Sequence, residues 1–231
     1  MAYLIFDYDG TLHNTILIYR PALQKAYDYL AKQGFRTNKI LSDEEAGRWL
    51  GFNAKDMWNA FAPDLSPKLH QYCSTIVGEE MQRQIDIGSA KLYPKALDVL
   101  SKLKSQGHHL IFLSNCKISY LNMHQKQFEL ERYFSAFYCT EAFDWKTKEE
   151  IFPAVKQDML SVFPNEEPTF IAIGDRFHDL NLALRHNLPF VGCNYGFGTA
   201  EELQQSTCIA HSAEEIESCV HQLLHTNLSY L

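Results

Sequence analysis

Short apolar segments recur along this 231-residue chain, and most of them are separated by stretches with the periodicity of an amphipathic helix. The segments that we predict to be strands are 3–6, 109–113, 136–140, 169–173, 190–193 and a short sixth at 208–211. Such runs suit strands that are buried on both faces, and their alternation with helices is typical of a parallel sheet covered on both sides. The expected fold class is therefore α/β, with a doubly wound, Rossmann-like parallel sheet.

One long stretch, from about residue 15 to residue 88, interrupts this alternation because it contains helical patterns and no good strand pattern. A helix is expected to begin at Tyr19-Arg-Pro21 and to stop at Gly34. Ser42, Asn53 and Ser66 are placed to cap three further helices, the first of which Gly51 would end. We therefore expect residues 15–88 to form an inserted all-helical domain, and residues 1–14 and 89–231 to form the α/β core.

The first predicted strand, Tyr3 to Phe6, runs directly into two carboxylates, Asp7 and Asp9. Residues two apart in an extended segment point the same way, and the chain turns at Gly10. Two acids at the end of a buried strand are costly unless a metal or a substrate requires them. The pair therefore suggests a site, with an acidic turn as the alternative for this stretch taken alone.

Other polar residues follow the later strands of the predicted sheet. Ser114 and Asn115 follow the second strand, Asp175 follows the fourth, and Asp179 lies one helical turn beyond Asp175. Because ligands bind at the carboxyl ends of the strands in open α/β sheets, these residues should converge with the first two acids. Several carboxylates at one point favour a hard divalent cation, and Mg²⁺ suits such oxygen ligands.

Lys148 lies in the first turn of a helix that Thr147 and Glu150 cap, a position where the helix dipole disfavours a cation. A lysine there suits an anion shared with the helix N-terminus, and we prefer it to Lys146 for this role. An anion held by lysine, serine and a metal beside an aspartate is the arrangement for phosphoryl transfer through an aspartyl-phosphate. Asp7 would attack, and Asp9 would act as the general acid and then as the base.

Four motifs occur in a recognisable order: Asp7-Tyr-Asp9-Gly-Thr11, Ser114-Asn115, Lys148 at a helix start, and Gly174-Asp175-Arg-Phe-His-Asp179. Together they resemble the phosphatases of the haloacid dehalogenase (HAD) superfamily, and specifically the phosphoglycolate-phosphatase-like branch. The loop Gly192-Cys-Asn-Tyr-Gly-Phe-Gly198 is also similar to that which follows the fifth strand in that branch.

The resemblance implies a role for each matching residue. Asp7 would be the nucleophile and Asp9 the acid/base, and Ser114 and Lys148 would hold the transferring phosphate. The metal set would comprise the Asp7 side chain, the Asp9 main-chain carbonyl and Asp175, with Asp179 supporting them. Asn115 and Thr11 complete the expected substrate-binding set. The helical insertion would be a mobile cap that closes over the site and selects the substrate.

Composition restricts the partners. With 21 basic and 28 acidic residues the net charge is −7, which argues against a nucleic-acid backbone as the main partner. No stretch approaches the length of a membrane span, and we expect no secretion signal, a cytoplasmic location and six reduced cysteines. The expected partner is a small phosphorylated metabolite, with the protein a monomer or a homodimer.

The leading hypothesis is a Mg²⁺-dependent phosphomonoesterase acting on a small metabolite. A phosphosugar mutase or a nucleotidase on the same scaffold remains open, as does a non-catalytic binding protein. Three further features are given lesser roles: Cys116 is not expected to be a nucleophile, and His221 and His225 are expected to lie on a solvated helix face. The loop Gly51–Lys55 remains open as a substrate contact.

Overall fold

The structure, a computed structural model, describes residues 1–163 and 169–228. It contains a six-stranded sheet, all parallel, in the order β3-β2-β1-β4-β5-β6. The strands are β1 (Tyr3–Phe6), β2 (His109–Ser114), β3 (Ala136–Cys139), β4 (Phe170–Gly174), β5 (Phe190–Cys193) and β6 (Cys208–Ala210). The predicted α/β fold class is confirmed, and each strand begins and ends within one residue of its predicted limits.

Strand β1 lies at the centre of the sheet, between β2 and β4. Phe6, its last residue, pairs with Phe112 of β2 and with Ile173 of β4. All four residues of β1 are buried, which explains why the strand is a continuous apolar run with no alternation. Because the three strands are parallel and in this register, the residues that follow them meet at one edge of the sheet.

Within the described parts of the chain, five α-helices accompany the sheet. They are α5 (Ala96–Ser105), α6 (Ile118–Gln127), α7 (Lys148–Val162), α8 (Phe177–His186) and α9 (Ile216–Leu228). Helix α7 packs on the sheet through Ile151, Val155 and Met159, the four-residue spacing that its sequence predicts. Burial of this apolar face stabilises α7 against the sheet and determines where its first residue lies.

Residues 13–92 form a second compact unit, separate from the one formed by residues 1–12 and 93–231. It is built from α1 (Ile16–Lys32), α2 (Asp43–Gly47), α3 (Ala54–Phe61) and α4 (Pro67–Asp86). Its two ends are paired with each other by an antiparallel bridge between His13 and Leu92. This unit begins slightly before, and ends slightly after, the insertion that we expect from the sequence.

Two helix limits in this unit differ from the prediction. Helix α1 begins at Ile16 and not at Tyr19–Pro21, because Ile18 and Tyr19 are buried and extend the apolar face by one turn. Helix α2, which begins with the capping box of Ser42, is only five residues long and ends at Gly47, before Gly51. The expected capping by Asn53 and Ser66 is observed, since each side chain accepts a backbone N–H three residues on.

The expectation of six reduced cysteines is wrong for one pair. The structure joins Cys208 of β6 to Cys219 of α9 in a disulfide, with Cα atoms 5.9 Å apart. No sequence pattern marks this bond, because the packing of α9 on β6 brings together residues that are 11 positions apart. Cys73, Cys116, Cys139 and Cys193 are free and buried.

Within residues 1–163 and 169–228, no helix combines the length and the apolar content that crossing a membrane would require.

Candidate active site

Asp7 is the first residue after β1, and its side chain is only 6% exposed. Its backbone N–H donates to the carbonyl of Ile173 at 2.9 Å, so the sheet pairing continues up to the acid. The chain then turns at Gly10, which has a φ of +87°. This left-handed conformation favours glycine, and the turn keeps the segment 7–11 at the sheet edge.

Lys148 is the cation of the site. It is the first residue of α7, which the reciprocal hydrogen bonds of Thr147 and Glu150 cap, and it is 3% exposed. Its Nζ lies 2.5 Å from Asp7 Oδ1 and 2.6 Å from Asp179 Oδ1. The lysine therefore joins the end of β1 to the first turn of α8.

Asp175 is fully buried and is enclosed by backbone. Its carboxylate accepts the Phe197 N–H at 2.6 Å and the Thr11 hydroxyl at 3.5 Å. A Cβ on Gly10 or on Gly196 would lie within 2.5 Å of atoms of this carboxylate or its Cβ, so both chain segments approach it as only glycine allows. The loop after β5 thus fixes the Asp175 side chain at the sheet edge.

Burial and mutual repulsion change the pKa values of these groups. Burial, followed by the charge of Asp179, raises the pKa of Asp7 to about 7, although Lys148 opposes the change. The pKa of Asp175 is raised well above its usual value by burial and by Asp7 and Asp179. Burial alone would lower the pKa of Lys148, but Asp179 and Asp7 outweigh it and hold that pKa above its usual value. The buried cluster therefore favours the protonated forms of Asp7 and Asp175 and the charged form of Lys148.

The three acids fit a divalent cation. Asp7, Asp175 and Asp179 each offer a carboxylate oxygen, and these oxygens lie within 4.8 Å of one another. Hard oxygen ligands are those that Mg²⁺ prefers, and the one lysine does not balance three buried carboxylates. Asp179 is committed to Lys148 and to the Arg176 N–H at 3.2 Å, which suits the supporting position expected for it.

The remaining predicted site residues also lie in the α/β unit. Ser114 ends β2, is 2% exposed and pairs in register with Cys139 of β3. Asn115 follows it and is half-buried. Thr11 points its hydroxyl at Asp175, so the observed contact is with an acid of the cluster, and its substrate-binding role stays a prediction.

Asp9 is half-buried and accepts a hydrogen bond from a residue that the sequence did not single out. The Tyr120 hydroxyl donates to Asp9 Oδ1 at 2.7 Å. Between the two acids, Tyr8 is completely buried, and its hydroxyl lies 2.7 Å from His124 Nδ1. The consecutive residues Tyr8 and Asp9 therefore both contact α6.

The competing candidates are placed elsewhere. Lys146 is exposed, whereas Lys148 is buried among the acids. A hydrogen bond with Cys139, followed by burial, raises the pKa of Cys116 well above its usual value, which is unfavourable for a nucleophile. His221 lies 3.0 Å from Gln106 and His225 is exposed; the described residues place neither of them in a metal-binding group.

Three site features were missed by reasoning from the sequence: the Tyr120 hydroxyl, the Phe197 N–H and the glycine contacts around Asp175. The glycines of segment 192–198 were a usable signal, because closely spaced glycines indicate a close approach of backbone. Tyr120 had no signal, since a single tyrosine on a helix face is more often part of the core.

The fold and this site define the protein's class, and comparison with known proteins identifies the family. The family model of haloacid dehalogenase-like hydrolases matches residues 4–193. The match covers most of the chain, so the chain belongs to that family, as the motifs predict.

Solved structures and a curated relative agree with this assignment. A predicted phosphatase from Clostridium acetobutylicum has a TM-score of 0.74 at 23% identity, covering 96% of this chain and 98% of its own. A predicted phosphoglycolate phosphatase from Haemophilus somnus has a TM-score of 0.76 at 18% identity, covering 95% and 97%. These likenesses show the fold.

A 5'-nucleotidase of Pseudomonas aeruginosa is 30% identical over 108 residues, which is 46% of this chain. The aligned region is 47% of the relative's length, so the chain matches only about half of that protein.

Proposed function

We propose that this hydrolase is a Mg²⁺-dependent phosphomonoesterase that acts on a small phosphorylated metabolite through an aspartyl-phosphate on Asp7. The observation that carries the proposal is the buried Lys148, which contacts both Asp7 and Asp179 beside Asp175. A structural ion pair does not need three buried acids around one lysine, because burying unbalanced charge is costly. A site for an anion and a divalent cation does need them.

The role of each residue follows from its position. Asp7 attacks the phosphorus from the end of β1, and the P–O bond to the leaving alcohol breaks as the Asp7–P bond forms. Asp9 gives a proton to the leaving oxygen and later takes one from the water that hydrolyses the aspartyl-phosphate. Lys148 and Ser114 bind the phosphate oxygens, together with Asn115.

Asp7, the Asp9 carbonyl and Asp175 would hold Mg²⁺, and Asp179 would support them. The ion would supply positive charge that favours the ionised, nucleophilic form of Asp7 and offsets the charge on the phosphate.

For the substrate, we propose only its chemical class. The phosphoglycolate-phosphatase-like resemblance favours a small phosphorylated acid, and the 30% identity to a 5'-nucleotidase favours a nucleoside monophosphate as a second candidate. We also propose that the helical insertion selects between them as a cap. A cytoplasmic location belongs to the same proposal, although the Cys208–Cys219 disulfide is unusual there.

Phosphate release from a panel of esters tests the proposal. The panel contains phosphoglycolate, sugar phosphates, nucleoside monophosphates and p-nitrophenyl phosphate, each with and without Mg²⁺. We expect Mg²⁺-dependent release by the wild type and none by Asp7→Asn. Asp158→Asn is the matched control, because that acid is an exposed residue of α7 that accepts a hydrogen bond from Tyr138.

Two outcomes would contradict the proposal. If the wild type releases no phosphate from any ester, the phosphomonoesterase assignment is wrong. If Asp7→Asn keeps the wild-type rate, the nucleophile is another residue. Transfer of phosphate between two positions of a sugar, without release, would identify a mutase instead.

A further inference from the structure

Helix α6 contacts the segment Asp7–Asp9 through two side chains that lie one turn apart. Tyr120 donates its hydroxyl to Asp9 Oδ1 at 2.7 Å, and His124 Nδ1 lies 2.7 Å from the Tyr8 hydroxyl. Residues four apart share one face of a helix. One face of α6 therefore holds both Tyr8 and Asp9, although neither helical residue belongs to the four motifs.

The position of Tyr120 is itself constrained by packing. Its ring centroid lies 4.2 Å from that of His124 and 6.5 Å from that of Tyr8, and the residue is 9% exposed. The Tyr120 hydroxyl donates this hydrogen bond to the Asp9 carboxylate oxygen. A hydrogen bond from a packed donor to a carboxylate restricts the rotation of that carboxylate.

We propose that Tyr120 is a positioning residue that orients the Asp9 carboxyl for proton transfer to the leaving group. The proposal rests on the proposed function, in which Asp9 is the acid/base. The Tyr120 hydroxyl contacts the Asp9 carboxylate, so Tyr120 would act on the reaction through Asp9. The hydroxyl keeps its own proton throughout, and the proton that the leaving oxygen receives comes from Asp9.

This role has a signature that a purely structural role lacks. Protonation by a general acid matters most for a basic leaving oxygen and little for an oxygen that leaves readily as an anion. Phenyl phosphate and p-nitrophenyl phosphate have almost the same shape but differ in the basicity of the leaving oxygen. A misoriented Asp9 should therefore slow the first ester more than the second.

The experiment measures kcat/KM of both esters, with Mg²⁺, for the wild type and for Tyr120→Phe. The ratio kcat/KM reports the step in which the leaving group departs, whereas kcat also contains the hydrolysis of the aspartyl-phosphate that both esters share. We expect kcat/KM for phenyl phosphate to fall about tenfold in Tyr120→Phe, while kcat/KM for p-nitrophenyl phosphate falls less than about twofold. Tyr138→Phe is the matched control, because it removes another tyrosine–aspartate hydrogen bond, to Asp158, away from the site.

A double variant provides a second measurement. In an Asp9→Asn background, Tyr120→Phe should cause no further loss with phenyl phosphate, because the hydroxyl acts only through the Asp9 carboxyl. An additional loss in that background would overturn the inference.

The outcomes separate this inference from the proposed function. Equal losses with the two esters, or no loss with either, in an enzyme whose wild type is active would overturn the positioning role alone. A wild type that hydrolyses neither ester would overturn the phosphomonoesterase assignment, and the role of Tyr120 with it.

Discussion

Lys148 is the residue on which the charge balance of the site depends. It is buried between Asp7 and Asp179, and its ammonium group contacts both carboxylates. Its helix-start position was predictable from the capping box of Thr147 and Glu150, and its preference over Lys146 followed from the same box. Its direct contact with two acids was not predictable, because that depends on how α7 and α8 pack.

Replacing Lys148 should destabilise the protein as well as inactivate it. In Lys148→Met, Asp7 and Asp179 remain buried without the cation that contacts them, and we expect the free energy of unfolding to fall by about 3 kcal/mol. Urea unfolding in EDTA at neutral pH measures this. Lys146→Met is the matched control and should change stability by less than about 0.5 kcal/mol, because its side chain is exposed. Equal effects of the two substitutions would contradict the account.

Asp7 should make the metal-free protein less stable as the pH rises. Burial and Asp179 raise its pKa to about 7 in the folded state from 3.8, so the folded state binds the proton more tightly. Its contribution is therefore most favourable below pH 4 and is lost as the pH rises through about 7. Urea unfolding in EDTA should show wild-type stability falling, relative to Asp7→Asn, between pH 4 and pH 7. A difference that does not change with pH would contradict the raised pKa.

At the scale of elements, the strands and helix caps were predicted well, because burial patterns and capping residues are local signals. The start of α1 was predicted wrongly, because Pro21 is a typical first-turn residue. The buried Ile18 and Tyr19 extend the helix towards its N-terminus, to Ile16. The disulfide between Cys208 and Cys219 was also missed, since it depends on the packing of β6 against α9.

Glu80 of α4 should stabilise the contact between α4 and α1. Glu80 is 4% exposed, and its Oε2 lies 2.9 Å from Lys25 Nζ of α1. Hydrogen bonds from Arg83 and then from Lys25 lower the pKa of Glu80 to about 2. The stability that the ionised Glu80 contributes is therefore present above about pH 4.5 and lost as the pH falls through 2. We expect Glu80→Gln to reduce the free energy of unfolding by about 1–2 kcal/mol at pH 7.

The neighbouring Glu79 gives the comparison for this prediction. It is exposed on the same helix, and Glu79→Gln should leave the urea midpoint nearly unchanged. If Glu79→Gln and Glu80→Gln shift the midpoint equally, the loss reflects helix charge in general and not the contact with α1.

At the scale of the whole molecule, the parallel sheet explains why residues far apart in sequence form one site. Asp7 and Asp175 follow β1 and β4, and Ser114 ends β2; the carboxyl ends of these strands lie at one edge. This convergence was predictable from the alternation of strands and helices. The Phe197 N–H and the Tyr120 hydroxyl were not, because a backbone donor and a single ring have no sequence pattern that marks them.

Mg²⁺ should stabilise the folded protein by binding at this edge. A ligand at 100 times its dissociation constant adds about 2.7 kcal/mol to the free energy of unfolding, which calorimetry would detect as a higher Tm. We expect Asp175→Asn to lose this gain, because the site then lacks a buried carboxylate. The Tm values of the wild type and of Asp175→Asn are measured in Ca²⁺-free buffer with and without Mg²⁺. A Tm increase of the same size in Asp175→Asn would place the ion elsewhere.

The central claim is that Asp7 becomes phosphorylated during turnover, and trapping the intermediate tests it most directly. The enzyme is mixed with Mg²⁺ and an ester that it hydrolyses, quenched, and treated with borohydride, which reduces an aspartyl-phosphate to homoserine. Peptide mass spectrometry should then find homoserine at position 7, with Asp9, Asp175 and Asp179 unmodified. Turnover with no homoserine at position 7, or with homoserine at another aspartate, would contradict the account.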